Sequence, residues 1–283
     1  MQSLIDTYTL NNDVKIPIVG FGTWQSADGD IAYKSVQAAL DAGYRHIDTA
    51  TAYGNEGSVG KAIKDSDVDR HDIFLTTKLW NDDHGYEATQ KAIDNSLKSL
   101  ETDYVDLYLI HWPNPVKFRD NWEQMNAESW QAMEEAYKAG KVRAIGVSNF
   151  RPHHLASLMK TATITPAVNQ NYLNPCDLQP EVTHANEQYN ILNEAYSPLG
   201  TGELLSVQLL RDLGEKYGHS SAQLMLRWSL QHGFLPLPKS THAERIQHNT
   251  GIFDFTIDDA DMKAIDGLHG TTRVADDPDL VNF

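Results

Sequence analysis

Asp48, Tyr53, Lys78 and His111 are the residues whose types and positions point to chemistry. Asp48 closes the short run His46-Ile47-Asp48, and Tyr53 lies in the segment behind it. Lys78 closes the run Ile73 to Lys78, with Trp80 just beyond, and His111-Trp112 follow the run Val105 to Ile110. Each alone has an ordinary explanation: Asp48 as a turn cap, Tyr53 as a rim residue, Lys78 as a solvated lysine, His111 as a satisfied core histidine. Neighbouring strands lie about 4.8 Å apart, so the ends of three consecutive strands can converge on one small site. The set suits the reduction of a carbonyl, where carbon accepts a hydride and oxygen must receive a proton. A free tyrosine, with a pKa of about 10, is a poor acid at neutral pH. A nearby ammonium favours the phenolate and lowers that value. Asp48 would keep Lys78 charged and oriented, and His111 would donate a hydrogen bond to the carbonyl oxygen. Histidine as the proton donor is a competing assignment. Neither scheme needs a nucleophile or a metal.

The elements that must position these residues alternate along the chain. Strand-like runs are read at Gly20-Phe21-Gly22, His46–Asp48, Ile73–Lys78, Val105–Ile110, Val142–Val147, Ala167–Gln170, Ile191–Tyr196 and Phe234–Leu237. Helical periodicity is read at Asp30–Ala42, Val59–Ile63, Tyr86–Leu100, Ala127–Ala139, Pro152–Met159, Ser206–Tyr217 and Ala222–His232, then at Ala243–Thr250 and Asp258–Leu268. Short apolar strands between helices are the mark of a parallel sheet covered on both faces. With no linker or low-complexity segment, the rhythm predicts one (β/α)8 TIM barrel over 1–283 as a single domain, with extra C-terminal helices. Tyr8-Thr9-Leu10 and Val14-Lys15-Ile16 flank Asn11-Asn12-Asp13 and predict an N-terminal β-hairpin, placed as a plug in the barrel bottom. Ser220 with Gln223, and Thr241 with Glu244, have the spacing of capping boxes. In such a barrel the chemistry sits at the C-terminal ends of the strands.

Composition narrows the partners. The 283 residues carry a formal net charge of −16, which repels phosphate backbones and anionic lipid. Nucleic acid and membrane are therefore excluded as partners. The single cysteine, Cys176, allows neither an intramolecular disulfide nor a cysteine-rich zinc site. The start has no basic region followed by an apolar stretch, and a cytoplasmic location is expected. Two motif-like runs fail on inspection. Gly54 to Ala62 has the wrong glycine spacing for a Walker loop and no hydroxyl after Lys61, so it reads as a glycine-rich turn into a helix. Gly20 to Gln25 lacks the third glycine of a Rossmann turn. No His-Glu-x-x-His occurs among the 12 histidines, and the pair His153-His154 reads as solvated at a helix start, so no metal is expected.

Longer motifs carry a resemblance. They are Gly20-Phe21-Gly22-Thr23-Trp24, Gly43 to Ala50, Tyr53-Gly54-Asn55-Glu56, Thr77-Lys78-Leu79-Trp80, Asp103 to Pro113, Gly146 to Phe150, Tyr196 to Gly200 and Pro238-Lys239-Ser240. In this order, across essentially the whole chain, the sequence resembles the aldo-keto reductase family, in its prokaryotic type similar to 2,5-diketo-D-gluconic acid reductases. The resemblance implies NADP(H) as cofactor, a small carbonyl substrate and a monomer. It makes Tyr53 the proton donor, Lys78 with Asp48 its tuning pair, and His111 the orienting group. It places Ser148, Asn149 and Gln170 on the nicotinamide amide and Tyr196 on the ring. Ser197, Leu199 and Thr201 lie over the pyrophosphate, and Lys239, Ser240, Thr241 and Arg245 around the ribose 2′-phosphate. Thr23, Trp24 and Asn249 join the cofactor set, and Trp24, Trp80 and Trp112 line the substrate pocket. The phosphate site also makes sense on charge, because a dianion in so acidic a protein needs local cations, which Lys239 and Arg245 supply. Loop 114–126 and the short tail 269–283 should form the rim. Tyr196 stands where related diketogluconate reductases often have tryptophan, and His248 where relatives often carry glutamate. Two other readings of the barrel are a cofactor-binding subunit without turnover and a Schiff-base aldolase using Lys78. Pairing with Asp48 opposes the latter.

Overall fold

The computed structural model describes residues 3–283. Strands β1 (Thr7–Thr9) and β2 (Lys15–Pro17) form an antiparallel hairpin with Tyr8 opposite Ile16. Eight parallel strands follow in chain order: β3 (Phe21–Gly22), β4 (His46–Asp48), β5 (Phe74–Leu79), β6 (Val105–Ile110), β7 (Val142–Ser148), β8 (Val168–Tyr172), β9 (Leu192–Tyr196) and β10 (Leu235–Leu237). Gly20 N–H donates to Pro236 O (3.1 Å) and Gly22 N–H to Pro238 O (3.0 Å), which joins the last strand to the first. The sheet is therefore a (β/α)8 barrel, as the sequence predicts.

The helices wrap it in the expected order: α1 (Asp30–Asp41), α2 (Glu56–Lys64), α3 (Tyr86–Ser99), α4 (Trp122–Lys138), α5 (Pro152–Leu158), α6 (Pro180–Gln188), α7 (Gln208–Lys216) and α8 (Ser221–Gln231). Two short ones, α9 (Ala243–His248) and α10 (Asp259–Asp266), close the chain. Outward strand residues such as Ile47, Leu75, Tyr108 and Ile145 pack against Val36, Ile93, Met133 and Leu230 of the helices. Inward residues alternate with them. Phe74, Leu107, Val168 and Leu235 form an apolar inner layer near the strand starts, and Leu10 and Ile16 of the hairpin insert into that same cluster. Asn11 Nδ2 donates to Pro166 O and Asn12 Nδ2 to Arg143 O, so the hairpin is fastened across the barrel bottom. The top is left free for polar groups.

Several local readings are corrected. Helix α6 has no counterpart in the periodicity reading, because only Val182, Ala185 and Asn186 of its nine residues are buried and its apolar stripe is too thin to register. Helix α4 begins at Trp122 rather than Ala127, and the helical run Val59–Ile63 lies within α2. Ser220 and Gln223 do form a reciprocal capping box. Thr241 and Glu244 do not, since His242 is the N-cap residue of α9 and no side chain caps it. The glycine-rich run into α2 serves packing: a Cβ on Gly60 would lie 2.3 Å from Leu100 O, so only glycine lets α2 approach that backbone.

Candidate active site

Asp48, Lys78 and His111 come together because β4, β5 and β6 are adjacent and in register, with Asp48 opposite Thr76 and Lys78 opposite Leu109. Lys78 is fully buried. Its ammonium donates to both Asp48 oxygens (2.7 Å each), to Thr49 O (2.9 Å) and to the Tyr53 hydroxyl (3.4 Å). Burial opposes the charge on Lys78, but attraction to Asp48, Tyr53 and Glu194 outweighs it and raises its pKa above the ordinary value. An amine so held is a poor Schiff-base nucleophile. The Tyr53 and His111 rings meet edge to face with centroids 5.8 Å apart. Burial pushes the His111 imidazole well below its ordinary value, with Lys78 adding to the effect, so the ring is neutral at pH 7. Its Nδ1 has no hydrogen-bond partner among the described residues.

The sign expected for Tyr53 is corrected here. Burial is the largest influence and pushes its hydroxyl up, and Asp48 and Glu194 push the same way. Lys78 pulls it down, but by less. The phenol is therefore a firmly protonated group at neutral pH. Lys78 lowers the cost of the phenolate, but not by enough to offset burial.

Asp48, Tyr53 and His111 line a cavity of about 980 Å³, with Lys78 buried behind them. One wall carries Trp24, Trp80, Trp112 and the C-terminal Phe283. Another carries Ser148, Asn149, Gln170, Tyr196, Ser197, Leu199 and Thr201, and the far end carries Lys239, Ser240, Thr241, Arg245 and Asn249. Asn149 (φ 61°), Ser197 (φ 50°) and Thr201 (φ 54°) all adopt the left-handed conformation on this wall, a strain of the kind folds keep at functional sites. The Asn149 amide is fixed by His111 O, Ser148 Oγ and the Tyr196 hydroxyl. Lys239 donates to Gln25 O, and neither it nor Arg245 has a carboxylate partner among the described residues.

Over residues 18–269 the chain matches the model of the Aldo/keto reductase family. It belongs to that family. It is 46% identical to the glyoxal reductase of Bacillus subtilis strain 168 over 281 residues, 99% of each chain. The crystal structure of MGS-M4, an aldo-keto reductase from a Medee basin deep-sea metagenome library, superimposes with a TM-score of 0.92 at 41% identity, covering 98% of this chain and 100% of that one. A Gox0644 variant solved in complex with NADPH superimposes with a TM-score of 0.91 at 36% identity, covering all of both chains.

Not every residue singled out from the sequence of this aldo/keto reductase reaches the cavity. Thr23 is fully buried and its hydroxyl donates to Asp48 O, so it braces the end of β4 instead of lining the wall. Loop 114–126 supplies none of the lining. It acts through the tail: Asn114 Nδ2 donates to Asp279, Arg119 to Val281 O, and Val116 N–H to Phe283 O. Of the pair His153-His154, expected to be solvated, His153 is exposed but His154 is not. His154 is fully buried and its Nε2 lies 2.9 Å from Asp279 Oδ1, with His153 3.1 Å from the other oxygen. These three could together hold a metal ion by spacing. However, His154 Nδ1 accepts the Arg151 N–H, which leaves the ring proton on Nε2, the atom a metal would need. The cluster is a clasp for the tail.

That clasp delivers Phe283 to the mouth of the site, stacked on Trp80 (6.1 Å, 15°) and edge-on to Trp112 (5.1 Å, 80°). The sequence placed Phe283 at the rim only as part of the tail 269–283, and gave no role to Glu194 and His46 beside the site. Parity along the strands was the available signal. Glu194 shares the inward face with Leu192 and Tyr196, and His46 with Asp48. Among the described residues, no helix is long and apolar enough to cross a membrane.

Proposed function

We propose that this aldo/keto reductase reduces aldehydes and ketones to alcohols with NADPH, and that Tyr53 gives the proton. The observation that carries the reading is the chain Asp48–Lys78–Tyr53 at the cavity floor, with neutral His111 beside it. The residues present also suit the cofactor. Lys239 and Arg245 face the cavity without carboxylate partners among the described residues, in a chain of net charge −16, and with Ser240 and Thr241 they would hold a 2′-phosphate. Ser148, Asn149 and Gln170 would hold the carboxamide, Tyr196 the ring, and Ser197, Leu199 and Thr201 the pyrophosphate, with Trp24 and Asn249 beside them. A relative solved with NADPH supports the same choice. When bound, NADPH supplies the hydride for the carbonyl carbon.

The protein supplies the proton and its control. Neutral His111 donates a hydrogen bond to the carbonyl oxygen and sets its position. The Tyr53 O–H bond breaks as the alkoxide oxygen takes the proton. Lys78, kept charged by Asp48, stabilises the phenolate left behind until solvent reprotonates it. Trp24, Trp80, Trp112 and Phe283 offer flat apolar surface, so the substrate class is small aldehydes and dicarbonyls, including those with an apolar or aromatic end. A carbonyl panel followed by loss of NADPH absorbance tests this beside Tyr53→Phe. Turnover should fall by about 10²–10⁴-fold with NADPH binding retained. Unchanged turnover removes Tyr53 as the acid.

A further inference from the structure

We propose that Glu194 is a positioning residue for the nicotinamide site: with Asp48 it takes both amide protons of Gln170, leaving that side chain only an oxygen to offer the cofactor carboxamide. This deepens the NADP(H) reading and rests on it. Glu194 and Gln170 are direct partners in the β8–β9 ladder, so both point into the barrel. Gln170 Nε2 donates to Asp48 Oδ2 (2.8 Å) and to Glu194 Oε2 (2.7 Å). A primary amide has two N–H bonds, and both are now directed at carboxyl oxygens. Turning the amide over would set its oxygen against Asp48 Oδ2 with no water to relieve the repulsion, and would give up both donated bonds. Asp48 alone leaves one N–H free, and it is already held by Lys78. Glu194 completes the clamp.

The groups facing Glu194 are Asp48, Lys78, Tyr53 and His46. Burial, with Asp48 adding to it, raises the Glu194 carboxyl to about 8, and burial pushes His46 down to about 3. Glu194 and His46 are thus both shifted towards their neutral forms beside the Asp48–Lys78 pair. The neutral carboxyl still accepts through Oε2. Its Oε1 lies 3.7 Å from His46 Nε2 and has no hydrogen-bond partner among the described residues. An acceptor-only Gln170 selects the NH2 of a carboxamide. That fixes which face of the ring is turned to the substrate.

The test compares Glu194→Leu, which removes the acceptor at similar volume, with Glu194→Gln, which keeps an acceptor and loses the acid. NADPH binding is read by quenching of tryptophan fluorescence without substrate. Label transfer is read with NADPH deuterated at one or the other C4 position. Glu194→Leu should bind NADPH about ten-fold more weakly and deliver label from both faces, while Glu194→Gln stays within about three-fold of the parent and keeps one face. Unaltered binding and face selection in folded Glu194→Leu would overturn the clamp. So would equal loss in both variants, since an acceptor would then not suffice. If Glu194→Leu does not fold, loss of binding in Glu194→Gln alone overturns it. A parent protein that binds no NADPH defeats the cofactor reading instead, a separate outcome.

Discussion

Replacing Asp48 by asparagine removes the counter-ion of a lysine that has no access to water. The Lys78 ammonium meets both Asp48 oxygens at 2.7 Å, and burial by itself drives it towards the neutral amine. Breaking a buried pair on one side costs about 3–5 kcal/mol, so Asp48→Asn should lose stability of that order at pH 7. The pH dependence gives a sharper test. In the parent, the folded-state pKa of Lys78 lies above its unfolded value. Its stabilisation is therefore fully present below about pH 10 and contributes no slope there. In the variant the folded pKa drops below the unfolded one. The unfolded chain then binds more protons across neutral pH, and stability must rise with pH, by at most about 1.4 kcal/mol per unit. Glu194 can lose its own proton and stand in as counter-ion, which blunts the slope. Adding Glu194→Gln closes that route and steepens it. Urea unfolding between pH 6 and 9 measures both. A single variant that runs parallel to the parent, and a double variant that runs parallel to Glu194→Gln, each within about 1 kcal/mol, would show that Asp48 is not what keeps Lys78 charged.

Three further outcomes follow from the geometry. Glu194 has its pKa raised from 4.5 to about 8, so the folded state holds an extra proton in that window and parent stability falls as pH rises through it. Glu194→Gln lacks this decline, and its melting temperature relative to the parent should climb between pH 5 and 8; melting curves that keep a constant offset exclude a buried neutral acid at this position. Arg245→Ala should weaken NADPH by about 10- to 100-fold in fluorescence titration and leave NADH unchanged, and an equal effect on both cofactors would remove Arg245 from the phosphate site. Phe283→Ala opens the ring contacts with Trp80 and Trp112, so KM for an aromatic aldehyde should rise about 2- to 10-fold with NADPH affinity intact. A KM that does not move would mean the tail ring is outside the substrate path.

Local pattern made much of this protein legible from its residues. Buried parallel strands are short and apolar, helices repeat every 3.6 residues, and a barrel presents its chemistry where strands end. Asp48, Lys78 and His111 could therefore be grouped before any contact was known. Helix α6 escaped because its stripe of Val182 and Ala185 is too narrow to show a period. What no one-dimensional pattern contains is distance across the barrel. Glu194 and Gln170 are 24 residues apart, and only the parallel register makes them partners. Asp48, a further 122 residues from Gln170, completes the same amide clamp. The tail reaches Trp80 through contacts no local pattern records, with His154 and Asn114 on Asp279 and Arg119 on Val281 O. The sign of the Tyr53 shift was likewise decided in three dimensions. Lys78 acts on the phenol as its residue type predicts, but burial acts more strongly, and burial is a sum over every atom that the closed barrel packs around that oxygen.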